Sequence, residues 1–313
     1  MSAILRPMRE DDLPEADRIF RRAFGTHFRL ADPMTALGDA DYVYSRWRAS
    51  AENTVAAELD GRLIGSNFVA RWGSVAFFGP LTVDPTAWDK GVGRQLVAAA
   101  VERFDDWNVA HRGLFTFPES PKHISLYRGF GFWPRFLTGL MSRAIDAAPA
   151  GSVYRRWSNI TADNRENTRL QCWSITNSIY VGLDVSSEIE AVSRLSLGDT
   201  ILVGPSDRIE AFAVCHCGPR TEAGTGVCYV KFAAVRPGAV APDTFRSLLA
   251  ACEHFAMATG CQRVVCGMNY GRHEAMNILV GMGYRTDALG VTMHGNSAEG
   301  YTQPGRFVID DWR

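Results

Sequence analysis

The sequence predicts an α/β protein, α+β with a mixed sheet, built as two tandem copies of one domain that pack as a pseudo-dimer. Three observations carry that expectation. Apolar residues run by turns at strand and at helix spacing, with Gly- and Pro-bearing breaks between them. Landmarks of the first half recur 152 residues later. The 313 residues also amount to about two ordinary domains.

In order, Ile4-Leu5-Arg6 reads as a short strand. Asp12 as N-cap and Pro14 in the first turn open a helix whose apolar positions are Ala16, Ile19, Phe20 and Ala23, with Gly25 expected to stop it. An irregular stretch then holds Tyr42, Tyr44 and Trp47; with Trp72 these rings either line a pocket or pack in the core. Two apolar runs around Asp60-Gly61 give a hairpin signal, and a strand over about 74–83 ends at Pro85. Val92, Leu96, Val97, Ala100, Val101 and Phe104 form one helical stripe. A buried strand over 113–117, a short helix over about 122–128 ended by Gly129, and a strand over 136–142 complete the unit. Its boundaries are set at 1–145, with an Ala-, Pro- and Gly-bearing linker at 146–155 and the second copy at 156–313.

The repeat is specific. Val83-Asp84-Pro85 returns as Val235-Arg236-Pro237, Gly131-Phe132 as Gly283-Tyr284, and Met141 as Met293, each 152 residues on.

Composition excludes several classes. With 33 basic against 34 acidic residues there is no broad positive field for nucleic acid. No apolar run is long enough to span a membrane, and the N-terminus lacks the pattern of a signal peptide. Seven cysteines without a C-x-x-C pair suit free thiols in a cytoplasmic protein. Cys215-His216-Cys217 has the density of a metal site, but it sits in an alternating strand, and no metal is expected. The charged end, Asp310-Asp311-Trp312-Arg313, reads as a strand end or tail on the surface.

The chemically informative segment runs from Val83 to Leu96, where a strand ends and a helix opens with Gly91 and Gly93. Glycines let a ligand approach the backbone, and the first N–H groups of a helix lack internal partners. Together with the dipole they suit a pyrophosphate, and Lys90 and Arg94 add positive charge. The same pair of glycines would also serve a tight turn that binds nothing.

This segment resembles the acetyl-CoA-binding motif of the GCN5-related N-acetyltransferases, V-x-P-x-x-[RQ]-x-x-G-x-[GA]. Val83, Pro85, Gly91 and Gly93 match it, while Trp88 stands where the family has Arg or Gln. A second landmark of the family, a helix ending in Tyr before Gly-Phe, is similar to the run from His123 to Phe132. The resemblance covers about residues 3–145 and implies two tandem GNAT-like acyltransferase domains, the first one active. It implies that acetyl-CoA, as co-substrate, pairs its pantetheine arm with the strand around Leu81 and Val83. The loop of Trp88, Asp89, Lys90, Gly91, Val92, Gly93 and Arg94 would hold the pyrophosphate. Ser120 stands where relatives carry an Asn that contacts the cofactor.

The acetyl group would pass directly to an amine of a small molecule or polypeptide. Tyr127 occupies the family's general-acid position, unless it only packs in the core. For the base, Glu119 and His123 are nearest by motif position, His27 follows, and a water chain is a further option. In the second copy Gly91 becomes Asp243, Gly93 becomes Phe245 and Tyr127 becomes Leu279, so a carboxylate and a ring are expected to block its cradle. A monomer or homodimer is expected, and a non-catalytic acyl-CoA sensor is the alternative to an enzyme.

Overall fold

The computed structural model describes residues 3–145, 153–310 and 312, so most of the expected linker lies outside the described residues. Strand β1 (Ile4–Pro7) leads into helix α1 (Leu13–His27) and the short α2 (Val43–Ala49). Strands β2 (Thr54–Leu59) and β3 (Arg62–Trp72) form the expected hairpin. Asp60 and Gly61 both take positive φ, 50° and 75°, as a two-residue turn between twisted strands requires. Then follow β4 (Val75–Val83), α3 (Val92–Asp106), β5 (His111–Thr116), α4 (Pro121–Arg128) and β6 (Phe132–Ala144).

The second half starts with β7 (Arg155–Arg156), α5 (Ala162–Ile179) and α6 (Ser186–Arg194). It continues with β8 (Gly198–Val203), β9 (Ala211–Gly218), β10 (Gly224–Val235), α7 (Ala241–Ala258) and β11 (Arg263–Asn269). It closes with α8 (His273–Gly281), β12 (Arg285–Gly295) and β13 (Val308–Ile309). No helix among the described residues is long and apolar enough to cross a membrane.

All strands of the described residues belong to one sheet, in the order β1-β2-β3-β4-β5-β12-β6-β11-β10-β9-β8-β7, with β13 beside β10. The register carries the duplication. Val75 lies opposite His111 in the parallel pair β4–β5, and Val227 opposite Arg263 in β10–β11, both positions shifted by 152. The closing strands are exchanged: β12 pairs β5 of the first half, and β6 pairs β11 of the second. At the centre β6 and β12 run antiparallel with Thr138 opposite Gly290, each the other's repeat, so a pseudo-twofold axis passes between them.

Each half keeps its own core under its helices. Phe78, Val97, Phe104, Leu114 and Phe132 pack below α3 and α4, while Phe245, Leu249, Phe255, Val264 and Leu279 pack around α7 and α8. A third cluster joins the halves: Trp72 packs edge-on to Phe77 and to Phe232, at 4.6 and 5.2 Å between ring centroids. Tyr42 and Trp72 are buried, and the Trp47 indole N–H donates to the Met8 carbonyl at 3.2 Å, so packing claims these rings.

Two expectations are corrected. Gly25 does not stop α1; it lets the α1 backbone meet the following turn, where a Cβ would stand 2.2 Å from the Pro33 oxygen. The second is the surface tail expected at the charged end: Asp310 and Trp312 are 3% and 5% exposed, while Asp311 and Arg313 lie outside the described residues. Asp310 accepts from buried Arg272 at 2.6 Å and from the Tyr301 hydroxyl. The Trp312 ring stacks on Phe77 of the first half at 5.9 Å. Asp310, expected to be solvated, is thus paired internally, and the Trp312 indole brings apolar area that holds the segment inside.

Candidate functional site

The site starts from a fork in the sheet. β4 pairs with β5 only over Val75–Phe78. Beyond Phe78, Leu81, Thr82 and Val83 keep β3 on one edge, and among the described residues no strand covers the other. A register break in β3 between Asn67 and Val69 lies opposite the fork. The opened edge of 79–83 is backbone without a partner strand, as the family resemblance implies for a pantetheine arm.

At the mouth of the fork, α3 begins. Gly91 is its N-cap at φ 80°, and no side chain caps the helix. A Cβ on Gly91 would meet nothing within 4 Å, and one on Gly93 only Leu126 and Val83 side chains at 3.7 and 4.0 Å. The cradle is therefore roomy, and the leading N–H groups of α3 face it without an internal acceptor. This fits a phosphate group.

The rim is tied down in detail. Asp84 accepts from the Thr86 N–H and hydroxyl at 2.9 and 2.7 Å. Trp88 donates its indole N–H to the Val83 carbonyl at 2.8 Å, so the departure from the family motif fastens the loop to the strand. Asp89 pairs with Lys122 at 2.5 Å, and Lys90 donates to the Thr86 carbonyl at 2.9 Å. Val92 is buried, and exposed Arg94 lies over the Phe130 ring at 5.2 Å. Ser120 caps α4, accepting from the His123 N–H at 3.4 Å, a local task that explains a hydroxyl at this position.

Tyr127 stands at the fork, its ring 5.8 Å from that of Phe78. It is 7% exposed and hydrogen-bonded to the Thr116 side chain, and burial pushes its hydroxyl up to about 12, so it holds its proton. His123 lies one turn earlier, its ring 6.4 Å from Tyr127 and 5.9 Å from His27. Burial, then the nearby His27 and Lys122, lower its pKa. Glu119 is an exposed carboxylate 3.6 Å from His27. The structure thus gathers Tyr127, His123, Glu119 and His27. His27, the last residue of α1, sits on Phe117 at 5.1 Å, a contact that no local sequence signal foretells.

Arg46 of α2 was also missed. It donates to the Gly79 carbonyl at 2.5 Å, at the start of the fork, and to both oxygens of Glu222 at 3.1 and 2.7 Å. Glu222 lies on the turn between β9 and β10, and Lys231 joins it at 2.8 Å. The second half thereby reaches the first half's fork.

In the second half the matching slot is filled, though not as expected. Asp243 is exposed and pairs with Arg246 at 2.9 Å, while Phe245 points into the core. α7 starts at Ala241, three residues earlier than α3 at the repeat offset, so Asp243 and Phe245 both lie inside the helix rather than at its opening. The occupant is the chain's own end: β13 pairs with Ala233 and Ala234, and the Val235 N–H donates to the Phe307 carbonyl at 3.1 Å. Ala233, Ala234 and Val235 are the repeats of Leu81, Thr82 and Val83. Cys215 and Cys217 face the core under α7, and alternation turns His216 to the opposite side, beside Tyr229.

Residues 15–132 match the family model described as acetyltransferase (GNAT) family. A candidate acetyltransferase from Pyrococcus horikoshii superposes with a TM-score of 0.69 at 13% identity, covering 100% of this chain and 95% of its own. A GCN5-related N-acetyltransferase from Sphaerobacter thermophilus gives 0.60 at 14%, with 95% and 96% covered. The glucosamine N-acetyltransferase region of a fungal multi-domain beta-N-acetylglucosaminidase gives 0.63 at 13%, with 94% and 38% covered. At such identities the structural likeness speaks for the fold alone, and no curated protein matches the sequence. Residues 15–132 of the first half thus match the acetyltransferase (GNAT) family model, and the chain along its whole length shares the fold of GCN5-related N-acetyltransferase structures.

Proposed function

We propose that the chain is an N-acetyltransferase with one working site, in the first copy, moving an acetyl group from acetyl-CoA to an amine. The observation that carries this reading is the contrast between two matching slots. The slot at Leu81–Val83 has an open edge and a glycine cradle, while its repeat is filled by β13.

In this reading the N–H groups opening α3 hold the pyrophosphate, and the edge of 79–83 aligns the pantetheine arm. Positioning supplies most of the acceleration. The amine nitrogen bonds to the acetyl carbon as the carbon–sulfur bond breaks. His123, kept neutral by burial, takes the proton that the amine gives up. His27 and Glu119 orient it, and Glu119 draws an ammonium to the rim. Tyr127 gives its proton to the leaving sulfur. The amine acceptor, small molecule or polypeptide, enters from the side of His27 and Phe28.

A second reading, an acyl-CoA sensor without turnover, is favoured by the bond between Tyr127 and Thr116, which turns the hydroxyl inward. Thiol release from acetyl-CoA against an amine panel, run beside calorimetric CoA binding, separates the two. Turnover with one CoA per chain supports the enzyme. Binding without turnover supports the sensor, and no binding removes both.

A further inference from the structure

Five of the seven thiols lie together where β9 and β10 meet α7. The Cys215 and Cys252 sulfurs are 4.0 Å apart, Cys228 hydrogen-bonds to Cys215 and Cys217, and Cys217 to Cys261. Cys217 is half-buried, whereas Cys215, Cys228 and Cys252 are fully inside, so solvent reaches the cluster at Cys217.

Backbone geometry singles out one pair. Cys217 on β9 lies directly opposite Cys228 on β10. The Cys217 N–H donates to the Leu197 carbonyl at 2.8 Å, on the β8 side, so its peptide groups point away from β10. Cys217 and Cys228 are therefore a non-hydrogen-bonded cross-strand pair. Such pairs bring Cα atoms to about 4.5 Å, inside the range that a disulfide spans.

We propose that Cys217 and Cys228 are a redox modification site, forming a reversible cross-strand disulfide under a peroxide-class oxidant. The Cys217 sulfur takes up one peroxide oxygen as sulfenic acid, releasing the first water. The Cys228 sulfur then attacks the Cys217 sulfur. The sulfur–sulfur bond forms, the sulfenic oxygen leaves as the second water, and two thiol hydrogens and two electrons have passed to the peroxide. The hydrogen bond between the two sulfurs draws the Cys228 thiol down and pushes the Cys217 thiol up, so Cys217 meets the oxidant by its access to solvent and Cys228 is the more readily ionised attacking group. The bridge would staple the base of the turn whose tip docks on the first half. There the Asp41 N–H donates to the Thr221 carbonyl at 2.8 Å, and Glu222 holds Arg46.

The test uses the folded full chain, exposed to hydrogen peroxide, alkylated, and digested with trypsin without reduction. Arg220 lies between the two cysteines, so cleavage there leaves them joined only by the bridge. The expected result is a linked peptide two hydrogens lighter than its parts, two fewer alkylated thiols, and full reversal by dithiothreitol. Fragmentation should place the bridge at Cys217, and the link should vanish in Cys217→Ser and in Cys228→Ser but persist in Cys261→Ser. A bridge at Cys215 or Cys261, seven alkylated thiols, or a link that forms only in urea would overturn the assignment.

Discussion

Replacing Glu222 by Ala should destabilise the protein more than any surface change and should weaken acyl-CoA binding as well. The Glu222 side chain is fully buried and accepts from Arg46 at 2.7 Å and Lys231 at 2.8 Å. Burial alone would raise its pKa, but the two cations more than offset this and hold the carboxyl well below the usual range. At an effective dielectric of about 20, each pair is worth roughly 6 kcal/mol before desolvation, which takes back most of it. Removing the anion leaves Lys231 with Glu188, 3.0 Å away, and takes from Arg46 the carboxylate that it held with two nitrogens. The expected loss is about 3–5 kcal/mol, the usual cost of an uncompensated buried charge. In a chain of 313 residues that lowers Tm by roughly 5–8 °C. Arg46 would also lose its hold on the Gly79 carbonyl, so KM for acetyl-CoA should rise several-fold with kcat less affected. Urea unfolding and initial-rate kinetics read the two effects. Lys231→Met in the same chain restores the balance of charge and should recover at least about 1 kcal/mol of coupling. A single variant within about 1 kcal/mol of the parent, or additivity within about 0.5, would refute the picture of a dry, mutually dependent cluster.

Gly93→Arg should abolish CoA binding in calorimetry while the far-UV spectrum stays unchanged, because the new side chain fills an open cradle; unaltered affinity would remove the cradle. Tyr127→Phe should lower kcat about 10- to 100-fold with little change in KM, and an unchanged kcat would leave Tyr127 as packing. Trp312→Ala should cost about 3–5 kcal/mol in urea titration, since the indole fills the space over Gly113 and stacks on Phe77; a loss below about 1 kcal/mol would show that the end of the chain is not docked. Stability should fall as pH drops below about 6.5. Burial lowers His111 to about 3 and His216 and His294 to about 4, so the unfolded chain binds their protons first. Asp41, raised by burial to about 6, works in the opposite sense, leaving these four groups a net slope of about 2 kcal/mol per pH unit near pH 5. Equal urea midpoints at pH 7.5 and 5 would contradict neutral buried rings.

How much was legible depends on how local each feature is. The β2–β3 hairpin follows from Asp60-Gly61, and α3 from its apolar stripe after Gly91, because φ preferences and periodicity act within a few residues. The duplication was legible because a constant spacing of 152 survives in the sequence and reappears in the register of β4–β5 and β10–β11. The candidate loop from Val83 to Arg94 was legible on the same local grounds. Its details were not: the Trp88 bond to Val83 depends on where a rotamer finds a carbonyl.

Tertiary structure decided the rest. The sequence by itself determined two copies of one unit, with glycines kept at Gly91 and Gly93 and lost at Asp243 and Phe245. It did not determine that β6 and β12 change places, because two repeats of the same strand present nearly the same edge to either partner. Nor did it reveal that β13 closes the second slot, that His27 reaches Glu119, or that Glu222 holds Arg46 at the fork. Each of these contacts joins residues far apart in the chain. What selects them is burial of one particular charge or ring against another, and that free energy exists only once both halves are in place.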